Sequence, residues 1–168
     1  MPNETTNPIP QRQLTMTLLM TPDKANFSGK VHGGQILKLL DEVAYACASR
    51  YSGRYVVTVS VDQVTFLEPI LVGELVTFLA SINFAGRSSM EVGIRVVTES
   101  VPMFVTKHAM TCYFTMVAVD DDGKPTPVPS YTPETEEDRI RFEAAKLRRE
   151  LRKEISVRHA EIKGQRGD

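Results

Sequence analysis

The sixteen residues QILKLLDEVAYACASR, from Gln35 to Arg50, constrain the fold more than any other part of the chain. Ile36, Leu40, Val43 and Cys47 recur at helical spacing, which predicts an α-helix. Leu37, Leu39, Ala44, Tyr45, Ala46 and Ala48 make that helix apolar almost all round. A helix so largely apolar is normally buried on most sides, so something larger should wrap it. The chain has 168 residues, 42% of them apolar, enough for one domain with a core.

The rest of the chain supplies the wrapper. LTMTLLM, Leu14 to Met20, reads as a short strand. VVTVSVDQVTF, LVTFLASINF, SMEVGIRVVTE and TKHAMTCYFTMVAV are β-branched, partly alternating runs, which predict four long and mostly antiparallel strands. Turn residues at LEPILVGE, AGRSS and SVPM separate them. One strand, a buried helix and four more strands predict an α+β fold, a single domain whose curved antiparallel sheet wraps the helix. That is the hotdog arrangement. PTPVPSYTP is a proline-rich connector, after which Thr132-Pro133 offers an N-cap and first-turn proline for a last helix. Ile140, Ala144, Leu147, Leu151 and Ile155 form its single apolar stripe, and Glu, Arg and Lys crowd its other faces. This pattern reads as a solvated helix docked along one edge, not as a nucleic-acid arm. The expected organisation is a loose arm over 1–13 with Pro2, Pro8 and Pro10, a hotdog domain over 14–131, a charged helix over 132–162 and a tail over 163–168. There are no internal repeats.

Several function classes lose support. The 20 basic and 21 acidic side chains nearly cancel, so no strong field points to nucleic acid or an anionic membrane as partner. MPNETTNPIPQRQ lacks the basic and apolar regions of a secretory signal, and no later run is long enough to span a bilayer. A soluble, cytoplasmic protein is the expectation. Cys47 and Cys112 lie in apolar runs, as buried thiols in a reducing compartment do. Asp120-Asp121-Asp122-Gly123 lacks the ligand spacing and late glutamate of an EF-hand and reads as a turn. There is no G-x-S-x-G, no H-E-x-x-H and no glycine-rich phosphate loop, so neither a metal nor a cofactor is expected.

The polar loop ending in His32-Gly33-Gly34 runs directly into the apolar helix, which then carries Asp41. Asp41 could pair with Lys38, or Glu42 could do so, on an exposed strip. A partly desolvated Asp41 could equally serve as nucleophile, or as a base activating water toward an acyl carbon. Such chemistry needs an oxyanion donor, and the Gly33 N–H at the helix start is a candidate, although capping alone also explains the glycine pair. Eight helical residues separate Gly33 from Asp41, an advance of roughly 12 Å. One helix cannot easily aim both at one small group. A dimer in which each subunit gives one of the two is the simplest arrangement that unites them.

DKANFSGKVHGGQILKLLDEVAYACA, VVTVSVDQVTFLEPILVGE, GRSSMEVGIRV and GKPTPVPSYTPETEEDRIRFE resemble the acyl-CoA hydrolases of the YciA and brain acyl-CoA hydrolase type, over about residues 14–147. The resemblance implies a hotdog fold, hydrolysis of acyl-CoA to free acid and CoA, and a trimer of hotdog dimers. It carries the family's catalytic pair onto Asn26 and Asp41, contributed across the dimer interface, with the glycine at the helix start on Gly33. Asn26 taken alone would be a loop or capping residue. His32 and Gly34 are assigned to substrate positioning, with proton transfer the less favoured role for His32. Gly86, Arg87, Ser88 and Ser89 form a tight turn rich in donors for the CoA phosphates, or a plain hairpin turn. Val59 and Ser60 are assigned to the pantetheine channel. Phe66, Phe78, Phe84 and Met90 are candidates for the acyl tunnel or for ordinary core. Two competing readings are a hotdog dehydratase of 3-hydroxyacyl thioesters, and a non-catalytic hotdog domain that binds acyl-CoA or a nucleotide.

Overall fold

A computed structural model describes residues 11–62 and 64–165. The chain divides after Ser130 into two units. The first holds strands β1 (Gln13–Leu19), β2 (Tyr55–Val61), β3 (Leu75–Ala85), β4 (Ser89–Ser100) and β5 (Val105–Val119), with helix α1 (Gly33–Ser52) between β1 and β2. The second holds helix α2 (Glu136–Gln165). The strands form one antiparallel sheet in the order β1-β3-β4-β5-β2.

This order explains the wrapped helix. Strands β1 and β2, which α1 joins, lie on opposite edges of the sheet, so α1 has to cross its whole inner face. Four inter-strand gaps span about 19 Å, and a helix of 20 residues reaches about 30 Å. Helix α1 packs against all five strands. It buries Ile36, Leu40, Val43, Ala44, Cys47, Ala48 and Tyr51 against inward residues that include Phe78, Ile94, Phe114 and Met116. Gly53, in the left-handed region at φ 64, ends the helix with its N–H on Ser49 O, a stop that glycine adopts without strain. At the same end, Tyr51 Oη donates to Pro129 O and Ser130 O at 3.2 and 3.1 Å.

Three expectations shift. The run predicted as one strand over 56–66 is regular only as far as Val61. Beyond it the chain holds to β5 by separate bonds, Asp62 N–H to Tyr113 O and Leu67 N–H to Ala109 O, both 2.9 Å. Helix α2 starts at Glu136, not at Thr132, because Thr135 and Asp138 form the cap. Asp138 N–H donates to Thr135 Oγ1 at 3.1 Å, and Thr135 N–H returns to Asp138 Oδ2 at 3.2 Å, the reciprocal pattern of a capping box. In the single chain Ile140, Leu147, Leu151 and Ile155 of its stripe are exposed. Asp120 to Lys124 is a turn closed on the Asp120 side chain, with Gly123 at φ 76. The arm expected over 1–13 falls mostly on residues 1–10, and the tail expected over 163–168 partly on 166–168, outside the described residues.

The β3–β4 ladder carries a bulge between Ile82 and Phe84, which leaves Asn83 unpaired in the ladder. Its buried side chain accepts from Ser81 Oγ at 2.9 Å and donates to Glu91 Oε1 at 3.5 Å. That amide occupies the space a Cβ would need at Gly93, so only glycine fits on β4 beneath the bulge.

Candidate active site

Residues 25–31 form a tight reversal in front of α1. Ala25 bridges Val31, Asn26 N–H donates to Lys30 O, and Gly29, at φ 76, donates to Asn26 O at 3.0 Å. The Asn26 side chain organises this turn, with Oδ1 accepting from Ser28 N, Ser28 Oγ and Lys30 N at 2.9, 2.8 and 3.2 Å. Backbone N–H groups only donate, which fixes the amide orientation. The Nδ2 amino group has no partner among the described residues. Asn26 is thus a loop former and still has a donor to offer.

The start of α1 is similarly specific. His32 is its N-cap, with Nδ1 accepting from Gly34 N at 2.9 Å. The Gly34 N–H is therefore engaged within the protein, while the Gly33 N–H has no acceptor among the described residues. Asn26 and Gly33 line one pocket of about 360 Å³, walled by Val31, Ile36, Phe66 and Ile70, with Lys30 and Glu68 also on its lining. This volume falls within the range of small-molecule sites. Neither His32 nor Gly34 lines it. Phe66 lies against Gly33, its Cζ 3.4 Å from where a Cβ would stand. Phe78 and Met90, the other tunnel candidates on inward positions, are fully buried core, and Phe84 does not line the pocket.

Asp41 lies elsewhere. It is exposed in the single chain. Lys38 pairs with Glu42 at 3.8 Å, and Asp41 Oδ1 instead accepts from Thr58 Oγ1 at 2.6 Å. Thr58 was absent from the sequence-derived site. Its signal is one of phase: it follows the buried Val56 by two residues and stands opposite the buried Met116, a hydroxyl at a position where the core face of β2 calls for an apolar side chain. A bulge directly after Thr58 leaves Val59 unpaired on β5, and bulges re-aim side chains beside sites. Along β5, the level of Thr58 at Met116 and that of Leu67 at Ala109 are seven residues apart, or about 23 Å. The pocket wall and the Asp41–Thr58 pair thus sit toward different ends of the domain.

The turn from Gly86 to Ser89 is closed by Gly86 N–H on Ser89 O at 2.7 Å, while Ser88 O accepts from Ala118 N and Arg87 O from Val128 N. None of the four residues lines the pocket. Ser89 and Val57 both stand opposite Val117, so the turn lies two strands, about 10 Å, from the Thr58 end of β2. Ser60 follows the bulge, opposite Thr115. Burial pushes the thiols of Cys47 and Cys112 up to about 12, which keeps both protonated and poorly nucleophilic. Among the described residues no group of three His, Cys, Asp or Glu side chains could hold a metal ion, and no helix is long and apolar enough to cross a membrane.

Residues 28–104 match the Thioesterase superfamily. The chain is 34% identical over 143 residues to the uncharacterized acyl-CoA thioester hydrolase YkhA of Bacillus subtilis, a match covering 85% of this chain and 83% of that one. The chain belongs to the thioesterase superfamily. Within it, the protein VdlD of Helicobacter pylori is 52% identical over 140 residues, covering 83% of this chain and 80% of its own. A hexameric acyl-CoA thioesterase superimposes with a TM-score of 0.83 at 35% identity, over 86% of this chain and 92% of that one. The acyl-CoA hydrolase of Staphylococcus aureus, solved with butyryl coenzyme A and coenzyme A, does so with 0.82 at 31% identity, over 91% and 93%. This superfamily member has also been solved as alanine variants of an asparagine, an aspartate and a threonine, which follow one another at intervals of 15 and 17 residues. Asn26, Asp41 and Thr58 stand at those same intervals in this chain.

Proposed function

We propose that the protein hydrolyses acyl-CoA thioesters at composite sites, each built from the Asn26–Gly33 pocket of one subunit and the Asp41–Thr58 pair of another. The observation that carries this reading is the division of donors and acid. Asn26 and Gly33 share a pocket and each keeps an N–H to offer, while Asp41 is exposed and held by Thr58 away from it. Two N–H donors converging on a thioester oxygen form an oxyanion hole, the larger part of what acyl transfer requires of a protein. Asp41 supplies the rest. Its Oδ1 is occupied by Thr58, so Oδ2 takes the proton of an attacking water. The tetrahedral intermediate then expels the CoA sulfur, which leaves with that proton as the thiol, and the acyl carbon leaves as the acid.

A second copy has a surface to occupy. Strand β2 is a sheet edge, and Tyr55, Val59, Leu37 and Tyr45 are exposed apolar side chains on β2 and α1. Such a patch marks an interface, and the hexameric relative supports an oligomer. In that assembly Arg87, Ser88 and Ser89 bind the CoA phosphates, and Val59 and Ser60 border the pantetheine arm. The reducing cytoplasm, where acyl-CoA is found, is the expected compartment.

The test is release of free CoA, followed with a thiol reagent, over a panel of acyl chain lengths. Asp41→Ala lowers kcat by about 10²–10⁴, the range for a lost general base, and Asn26→Ala lowers it by about 10² or more. Thr58→Val loses about 10–10²-fold and Thr58→Ser retains most of the rate, since one hydrogen bond to a charged group is worth about 1.5–3 kcal/mol. A folded Asp41→Ala protein with full activity overturns the reading.

A further inference from the structure

A helix begins with four backbone N–H groups that have no acceptor within it, and their destinations can be traced here one by one. The Gln35 N–H donates to His32 O at 2.9 Å and the His32 N–H to Lys24 O at 2.8 Å, while the Ile36 N–H, on His32 O at 3.3 Å, makes the first regular helical bond. The Gly34 N–H donates to His32 Nδ1 at 2.9 Å. Three of these four N–H groups are satisfied by bonds in which His32 takes part, two as acceptor and one as donor. The fourth is Gly33, and of His32, Gly33 and Gly34 it alone lines the pocket.

We infer that His32 is a positioning residue for thioester hydrolysis: by holding Gly34 it fixes the first turn of α1 so that the Gly33 N–H stays uncommitted and faces the substrate oxygen. The inference rests on the reading in which Gly33 receives the oxyanion. Two further features support it. Glycine has the freest backbone of any residue, so a helix opening Gly33-Gly34 has a weakly specified first turn, and the cap restricts what its own residues do not. His32 also donates its own N–H to Lys24 O at 2.8 Å, which ties the helix start to the segment leading into Asn26. The two donors of the pocket are thereby held in one relation to each other.

The chemistry of the ring follows from its partner. An amide N–H can only donate, so Nδ1 presents its lone pair and the proton of the neutral imidazole is on Nε2. The lone pair that a histidine base would use is already occupied by Gly34. His32 therefore acts through Gly33, and the dehydratase reading, which needs a histidine base, loses its candidate. Asparagine and serine caps accept from the same helix position, whereas alanine cannot.

The experiment compares His32→Ala, His32→Asn, Gly33→Pro and the double variant His32→Ala/Gly33→Pro, using the best substrate of the acyl-CoA panel, with thermal melts to establish folding. His32→Ala lowers kcat about tenfold, well within the loss that a misplaced catalytic group causes, with KM within about twofold. His32→Asn recovers most of that loss. In the Gly33→Pro background His32→Ala brings no further fall in kcat, because the donor through which it acts is gone. The inference is overturned by wild-type kcat in His32→Ala, by a folded His32→Asn with kcat still depressed tenfold, or by losses that multiply in the double variant. The His32→Asn comparison decides the matter even if His32→Ala does not fold. Wild-type activity in Gly33→Pro overturns the oxyanion reading beneath it, whereas loss in Gly33→Pro with none in His32→Ala overturns the role of His32 alone.

Discussion

Gly33→Pro removes one hydrogen atom from the candidate site and leaves almost everything else in place. Gly33 is the first residue of α1, the position where proline is favoured, because its fixed φ suits the helix and its missing N–H would have no intrahelical partner. Proline restricts the residue before it to extended backbone with ψ about 120–160°, and His32 already has φ −66 and ψ 129. The added Cβ meets the Phe66 ring at 3.4 Å, an ordinary contact. Replacing a glycine by proline at a compatible site stabilises by about 0.4–1 kcal/mol through the unfolded chain. For a chain of this size that raises Tm by about 1–4 °C. Activity moves the other way. Deleting one oxyanion donor lowers kcat by about 10²–10³, or about 2.7–4 kcal/mol, while KM changes little because the donor bonds most strongly in the transition state. Gly33→Ala is the control: it adds the same Cβ, keeps the N–H, and loses less. The assay is CoA release beside a thermal melt. A stable Gly33→Pro protein with wild-type kcat refutes the oxyanion role, and a collapsed one refutes the accounting that leaves Gly33 uncommitted.

Other predictions follow from the same geometry. Asn26→Ala and Asp41→Ala chains, each nearly inactive alone, regain about one quarter of wild-type activity when unfolded and refolded together in equal amounts, because half of random dimers are mixed and each carries one intact site; no recovery means that both residues serve a site within one chain. Gly93→Ala lowers stability by about 1–3 kcal/mol, since its Cβ displaces the buried Asn83 amide and overpacking costs that much; an unchanged urea midpoint refutes it. Cys47 and Cys112 keep their protons in the fold up to about pH 12, against a reference of 9.0. The unfolded chain releases those protons first, so stability is intact below about pH 9 and falls as pH rises toward 12. Removing both thiols flattens that alkaline slope in urea melts, and an unaltered slope counts against it.

The parts of this fold that were legible in the sequence are those set by period and by metric. The spacing of Ile36, Leu40, Val43 and Cys47 placed α1 within two residues at each end, and the sheet covers the face that carries them, while Leu37 and Tyr45 stay exposed in the single chain. The second half of the 56–66 run looked like strand because its composition is strand-like, but strand regularity depends on a neighbour, and the regular pairing with β5 ends at Val61. The α2 cap was open to a closer reading, since Thr135 followed by Asp138 forms a reciprocal pair as readily as Thr132 offers a simple cap. Thr58 needed the phase of β2, which only the burial of Val56 and the pairing with Met116 define.

Asn26 and His32 show where sequence reasoning stops at a site. Each has two capacities, and which is spent on the fold depends on a chain reversal that composition does not specify. Asn26 spends its oxygen on the turn and keeps its amino group. His32 spends its ring lone pair on Gly34 and so has none left for proton transfer. The separation of Gly33 from Asp41 is different in kind, because it is a length along a regular helix, and lengths are legible. Eight residues of rise, roughly 12 Å, make it hard for one helix to aim the donor and the acid at one small group. The proposal that a second chain completes the site therefore starts from helix metric, and the bonding of Asn26, His32 and Thr58 says which atoms each chain would bring to it.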